Sequence, residues 1–191
     1  MLYDIEKSIK RMNGKYKSDE YRDLVYDLES FIIDLVYENE NADSSAERQS
    51  YLGKVELVNK VLEEKEEETV FTAIRPILCG LGVNESVKGF RLIEYCVLEA
   101  ARRTSEGKGY IMKDIYPVAA SKFGITAHNC ERLCRYACES ITPTVSFARK
   151  HPFFEELTHR TYEAVTVKEI VDLLVKYVLI KYSFRVKTAN I

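Results

Sequence analysis

Arg132 and Arg135 stand three residues apart in the stretch AHNCERLCRYACESI (127–141), with Glu131 between them and the turn that opens it, and His128 and Asn129 just upstream. At 100° per residue, His128, Arg132, Arg135 and Glu139 share one arc of a helix, with Asn129 and Glu131 at its margins. A guanidinium fork matches the O6 and N7 acceptors of guanine, and each good bidentate pair is worth about 1–3 kcal/mol of discrimination. Glu131 can accept from a cytosine amino group or orient either arginine. Cys130, Leu133, Cys134, Ala137, Cys138 and Ile141 fall on the opposite arc, so this helix packs by one side and presents the other. The thiols of Cys130, Cys134 and Cys138 recur at four-residue steps, a spacing that can gather metal ligands, with His128 nearby. They share their arc with Leu133, Ala137 and Ile141, however, and are read as small apolar packing groups. No metal and no cofactor is expected.

Such a helix needs a partner to position it. Residues 112–141 read as two short helices joined by a tight turn at Phe123-Gly124-Ile125-Thr126. Asp114 is expected to cap the first, which puts Pro117 in the first turn, where a missing N–H costs little. Ala120 and Gly124 are small where the two helices should cross closely. Thr126 is placed as the N-cap of the second, leaving outward-pointing N–H groups that can hold a phosphate. This is the outline of a helix-turn-helix, whose second helix meets base edges in the major groove. On that reading His128, Asn129, Glu131, Arg132 and Arg135 face bases. Arg91, Arg102, Arg103, Lys108, Lys113, Lys122 and Thr126 face phosphates, setting affinity and salt dependence rather than sequence.

The remaining elements also follow helical periodicity, and the expected fold class is all-α. A short helical pattern at 2–12 precedes a helix whose start Ser18 can cap. Tyr21, Leu24, Val25, Leu28, Phe31, Ile32, Leu35 and Val36 form its apolar stripe, which must bury against something. After a polar loop at 38–45, Leu52, Val55, Val58, Val61 and Leu62 mark a further helix. It runs into the acidic residues 63–68, read as a solvated helix end or linker. Residues 1–68 are therefore expected to be an acidic helical hairpin or small bundle. From Val70 the character changes. Val70 to Cys79 is apolar on one side and stopped at Gly80-Leu81-Gly82. Ser86 is expected to cap a long helix through Arg103, with Phe90, Ile93, Val97, Ala100 and Ala101 inward. Breaks at Thr142-Pro143 and His151-Pro152 precede a short helix with Phe153, Phe154 and Leu157. A last helix at about 167–182 carries Ile170, Val171, Leu174, Val175, Val178 and Leu179 on one side. The multi-helix domain holding the helix-turn-helix spans 70–182, and 183–191 is expected to be a flexible tail.

The formal charge of −2 hides an asymmetry: residues 1–70 hold 10 Lys/Arg against 18 Asp/Glu, and residues 86–150 hold 11 against 6. The second part is the one suited to an anionic partner. The residues in it resemble a known family. Gly82 with Val87-Lys88-Gly89-Phe90, then Ile115-Tyr116-Pro117, then Glu131-Arg132 with Arg135, occur in the order and spacing of the C-terminal DNA-binding domain of the stage-zero sporulation response regulator of endospore-forming bacteria. The resemblance covers about residues 70–182. It implies a six-helix domain that binds a TGTCGA-type box of double-stranded DNA, often as tandem dimers, and contacts RNA polymerase sigma factor. By motif match it implies base reading by Glu131, Arg132 and Arg135 and a phosphate contact for Lys88. His128, Asn129 and Cys130 depart from the family's usual recognition helix. Residues 1–70 lack the strand–helix alternation of that family's receiver domain, so no phosphorelay input is expected from them.

The acidic part is left with several roles: dimerisation through Tyr21, Leu24, Leu28, Phe31, Ile32 and Leu35, binding of another protein, folding over the basic face, or packing on the second domain. A homodimer suits a two-half-site operator. Five cysteines without paired zinc spacing, no signal-peptide pattern and no apolar run of membrane-spanning length point to a cytoplasmic protein. No hydrolase or phosphate-loop motif is present, so an enzyme is not expected. Two functions remain open: a sequence-specific transcriptional regulator, or a protein-binding modulator that sequesters a related regulator or sigma factor without touching DNA.

Overall fold

Long runs of good helix formers, with Gly and Pro confined to a few positions, favour helix throughout. The computed structural model describes residues 21–40, 45–142, 147, 150–158 and 165–182, and among them there is no strand. The chain is all-helical. Its elements are α1 (Tyr21–Glu40), α2 (Ser45–Gly80), α3 (Lys88–Ser105), α4 (Met112–Ser121), α5 (Ala127–Cys138) and α6 (Val167–Tyr182). A 3-10 turn at Pro152–Phe154 running into Glu155–Thr158 precedes α6. The expected helix at 2–12, the Ser18 cap and the tail at 183–191 lie outside the described residues.

Contacts divide the chain into two units, Met1–Thr69 and Val70–Ile191. In the first, Leu24, Leu28 and Leu35 of α1 are buried with Val58 and Leu62 of α2, and Phe31, Ile32, Val55 and Val61 pack around them. The α1 stripe is thus occupied within its own chain; of the residues assigned to dimerisation, only the side chain of Tyr21 falls outside the description. Leu52, expected on the apolar side of α2, is exposed. It lies about 120° around the helix from Val58.

The acidic residues 63–68 do not interrupt the helix. Glu and Lys propagate helix well, no Gly or Pro falls between Gly53 and Pro76, and Lys65 pairs with Glu68 at 2.6 Å. The helix ends only at Gly80, in the second unit.

The second unit's core is built on α3, which packs against α4, α5 and α6. Phe90, Leu92, Ile93, Cys96, Val97, Ala100 and Ala101 of α3 are buried, as are Ile170, Val171, Leu174, Val175 and Val178 of α6. Ser86 does not cap α3. Its hydroxyl and N–H both donate to the Asn84 side chain, at 2.8 and 2.9 Å, and the cap position falls to Val87 without a side-chain bond. At α6 the cap is reciprocal: the Thr166 hydroxyl oxygen accepts from Glu169 N–H, and the Glu169 carboxylate accepts from Thr166 N–H. The Tyr110 hydroxyl donates to Asp172 at 2.5 Å and so ties the segment before α4 to α6.

Three helices end alike. Val83, Lys108 and Ile125 each donate their N–H to the carbonyl five residues back (Leu78, Arg103, Ala120), while Gly82, Gly107 and Gly124 donate to the carbonyl three back. Those glycines have φ of 94°, 69° and 61°. This paired closure needs the left-handed conformation that glycine adopts without a steric penalty.

Gly89 serves differently. A Cβ there would lie 2.2 Å from the Leu133 carbonyl oxygen and 2.7 Å from the Ala137 Cβ, so α3 and α5 touch backbone to backbone. The close helix approach is here, between α3 and α5. Gly124, by contrast, has nothing within 4 Å of its would-be Cβ and is required for its φ alone. Gly89→Ala is therefore expected to destabilise the second unit by about 1–3 kcal/mol or more through overpacking. Gly124→Ala should cost about 1–2 kcal/mol through backbone strain. Urea unfolding of both variants checks the order.

Candidate nucleic-acid interface

The helix-turn-helix is formed by α4, the Gly124 turn and α5. Its first helix starts earlier than the Asp114 cap implies: Ile111 occupies the cap position and Asp114 lies in the first turn. Pro117 is consequently inside the helix. It is exposed, so water can reach the carbonyl that its missing N–H would have bonded. Ile115, Tyr116, Ala119 and Ala120 are buried.

The second helix starts where its cap predicts. Thr126 has extended backbone, and its hydroxyl oxygen accepts from Asn129 N–H at 3.2 Å. Cys130, Cys134, Ala137 and Cys138 are buried, and Leu133 and Ile141 are half-buried. On the other arc His128, Arg132, Arg135 and Glu139 are exposed, with Asn129 and Glu131 half-buried. The five proposed base-facing residues thus lie together on the solvent side of one helix.

Their hydrogen bonds order them. Arg132 Nη2 donates to Asn129 Oδ1 at 3.1 Å, and Arg135 Nη2 donates to Glu131 Oε1 at 2.7 Å. Of the two roles open to Glu131, orienting Arg135 is the one seen. Tyr136, not singled out from the sequence, is 64% exposed on the same side. Its angular offset of about 40° from Arg132 was the available signal.

The phosphate candidates divide by what they touch. Lys88 and Lys113 are exposed and have no ion pair among the described residues. Arg103 pairs with Glu99 at 2.8 Å, and Lys108 with Glu106 at 2.6 Å, which holds the Glu106 carboxyl below its ordinary range. Lys122 lies over the Tyr95 ring at 5.8 Å. Arg102 is half-buried.

Arg91 has a structural task. The Glu94 carboxylate is fully buried, receives Arg75 Nε at 2.7 Å and has Arg91 Nη1 3.0 Å away, an ion pair without good hydrogen-bond alignment. Burial pushes that carboxyl above its ordinary range, while the two arginines pull it back. Arg91 also covers the Phe71 ring, at 5.6 Å.

Beside α5 a groove of about 760 Å³ is lined by Met112, Lys113 and Tyr116 of α4, Ala127, His128, Glu131 and Arg135 of α5, and Val165 to Lys168 at the start of α6. Its rim carries three cationic side chains against one carboxylate. Burial pushes the Tyr116 phenol upward, which keeps it a neutral floor to this groove.

An all-helical unit with an exposed, arginine-bearing second helix behind a glycine turn defines a helix-turn-helix domain. Residues 74–178 match the family described as sporulation initiation factor Spo0A C terminal, and the chain belongs to that family of helical DNA-binding domains. The match covers more than half the chain, and it encloses α3 to α5 entirely. No curated protein and no solved structure matches. No helix among the described residues is long and apolar enough to cross a membrane.

Thr126→Ala is expected to cost about 1 kcal/mol. Amide exchange at 127–129 should quicken relative to the middle of α5, measured by hydrogen–deuterium exchange.

Proposed function

We propose that the chain is a cytoplasmic, sequence-specific DNA-binding transcriptional regulator of a sporulation-related programme, reading the major groove with α5. The observation that carries this is the two-faced α5: a buried inner arc fixes the helix, and Arg132 and Arg135 stand exposed on the outer arc with their guanidinium groups already oriented. Family membership supports the same reading. Arg132 and Arg135 are assigned to guanine edges, Asn129 and Glu131 to holding them, and His128 to the helix end that first enters the groove. Lys88, Lys113 and the N–H groups behind Thr126 are assigned to phosphates. Lys108, Lys122, Arg102 and Arg103 are secondary contacts that would have to exchange or share their present neighbours.

A homodimer is proposed because a two-half-site operator calls for a two-fold protein. Leu24, Leu28 and Leu35 are already buried in the α1–α2 hairpin, so a dimer through that stripe requires exchanging helices between copies. The second reading, a modulator that sequesters a related regulator or a sigma factor, is favoured by the acidic excess of residues 1–70 and by exposed Tyr26, Ile33 and Tyr37 on α1.

Fluorescence anisotropy with labelled duplexes separates the two. A TGTCGA-type duplex should bind more tightly than a scrambled one. Arg132→Ala and Arg135→Ala should each lose about 1–3 kcal/mol, roughly 5- to 150-fold in Kd, on the cognate duplex. Lys113→Ala should weaken both duplexes alike and reduce the salt slope by about 1. Binding indifferent to sequence and to both arginines would favour the modulator.

A further inference from the structure

The α3–α5 contact has sulfur at its centre. Cys96 of α3 and Cys130 and Cys134 of α5 hold their Sγ atoms within 4.8 Å of one another, and all three residues are fully buried. Cys130 and Cys134 lie one turn apart on the same face, and Cys96 reaches them from the facing helix, closing a triangle. Cys138, which continues the four-residue spacing, is not part of it. Three sulfurs around a pyramidal centre at bond lengths of about 2.3 Å would stand about 3.5 Å apart, so the triad closes on one by a contraction on the order of 1 Å.

Charge selects the occupant. The groups that bear on these sulfurs are one another, Cys138, the neutral Tyr116 phenol and the surrounding apolar burial. A net charge left there would go uncompensated, at high cost. Three thiolates around a monovalent ion leave two negative charges, around a divalent ion one, and around a trivalent centre none. Soft thiolates also favour thiophilic centres over hard ones.

We propose that Cys96, Cys130 and Cys134 form a binding site for a trivalent thiophilic centre of the arsenite class, held by three sulfurs between α3 and α5. The binding step is an exchange without redox change. Three S–H bonds and three As–OH bonds break, three As–S bonds form, and three waters leave. Arsenic remains trivalent, and no net proton is released. Entry requires α3 and α5 to part locally, which makes loading slow, and the loaded centre then pins one helix to the other.

The test uses the reduced full chain incubated with sodium arsenite. Native mass spectrometry should show a gain of one arsenic less three hydrogens per chain, X-ray absorption should count three sulfur neighbours, and the melting temperature should rise with arsenite concentration. Cys138→Ala should retain all three responses, and Cys96→Ala should lose the three-sulfur signature. Absence of stoichiometric arsenic in the folded wild type, fewer than three sulfurs around it, or an unchanged signature in Cys96→Ala overturns the proposal. So does displacement of arsenite by an equal concentration of Zn²⁺ or Cd²⁺. Should Cys96→Ala fail to fold by circular dichroism, the sulfur count on the wild type decides.

Discussion

The backbone contact between Gly89 and the Leu133 carbonyl is the constraint on which the second unit depends. At that distance no side chain fits between α3 and α5, so the rotation of α5 about its axis is set by the packing of Cys130, Cys134, Ala137 and Cys138 against α3. Small residues on both sides allow it. Once that rotation is set, the outer arc follows from helical geometry: residues 128, 132 and 135 have no choice but to face solvent. Interior packing thus decides which side chains a partner can reach.

Polar groups take a similar part at the margins. The buried Glu94 of α3 joins the end of α2 through Arg75, with Arg91 of its own helix beside it, and a carboxylate so placed is tolerable only while both cations remain. Tyr110 and Asp172 do the same between the approach to α4 and α6. These bonds hold the helices that flank α5 without touching its exposed face. Several cations that look available in the sequence are therefore committed to the fold, while Lys88 and Lys113 stand clear of such duties.

Much of this was legible in the sequence because helical periodicity is local. The two-sided pattern of α5, its Thr126 cap, the α6 stripe and the stop after Gly80 depend only on neighbours within a turn or two. What stayed hidden depends on distant residues. Nothing near Gly89 announces that Leu133 will lie against it, and nothing near Cys130 points to Cys96, thirty-four positions earlier. The acidic run at 63–68 reads as a solvated helix end or linker by charge, yet its residues are strong helix formers and the helix passes through it. Asp114 and Ser86 look like caps by type. The chain instead enters α4 earlier, and Asn84 claims Ser86.

The open surroundings of Gly124 carry a separate consequence. Space is not what excludes other residues there; handedness is. An achiral residue satisfies the turn, and so would one of mirror-image configuration, which favours positive φ where an L-residue resists it. A D-alanine introduced at this position by chemical ligation would narrow the ensemble of the unfolded chain while leaving the native turn unstrained. The joint between the two helices would be firmer without one new contact.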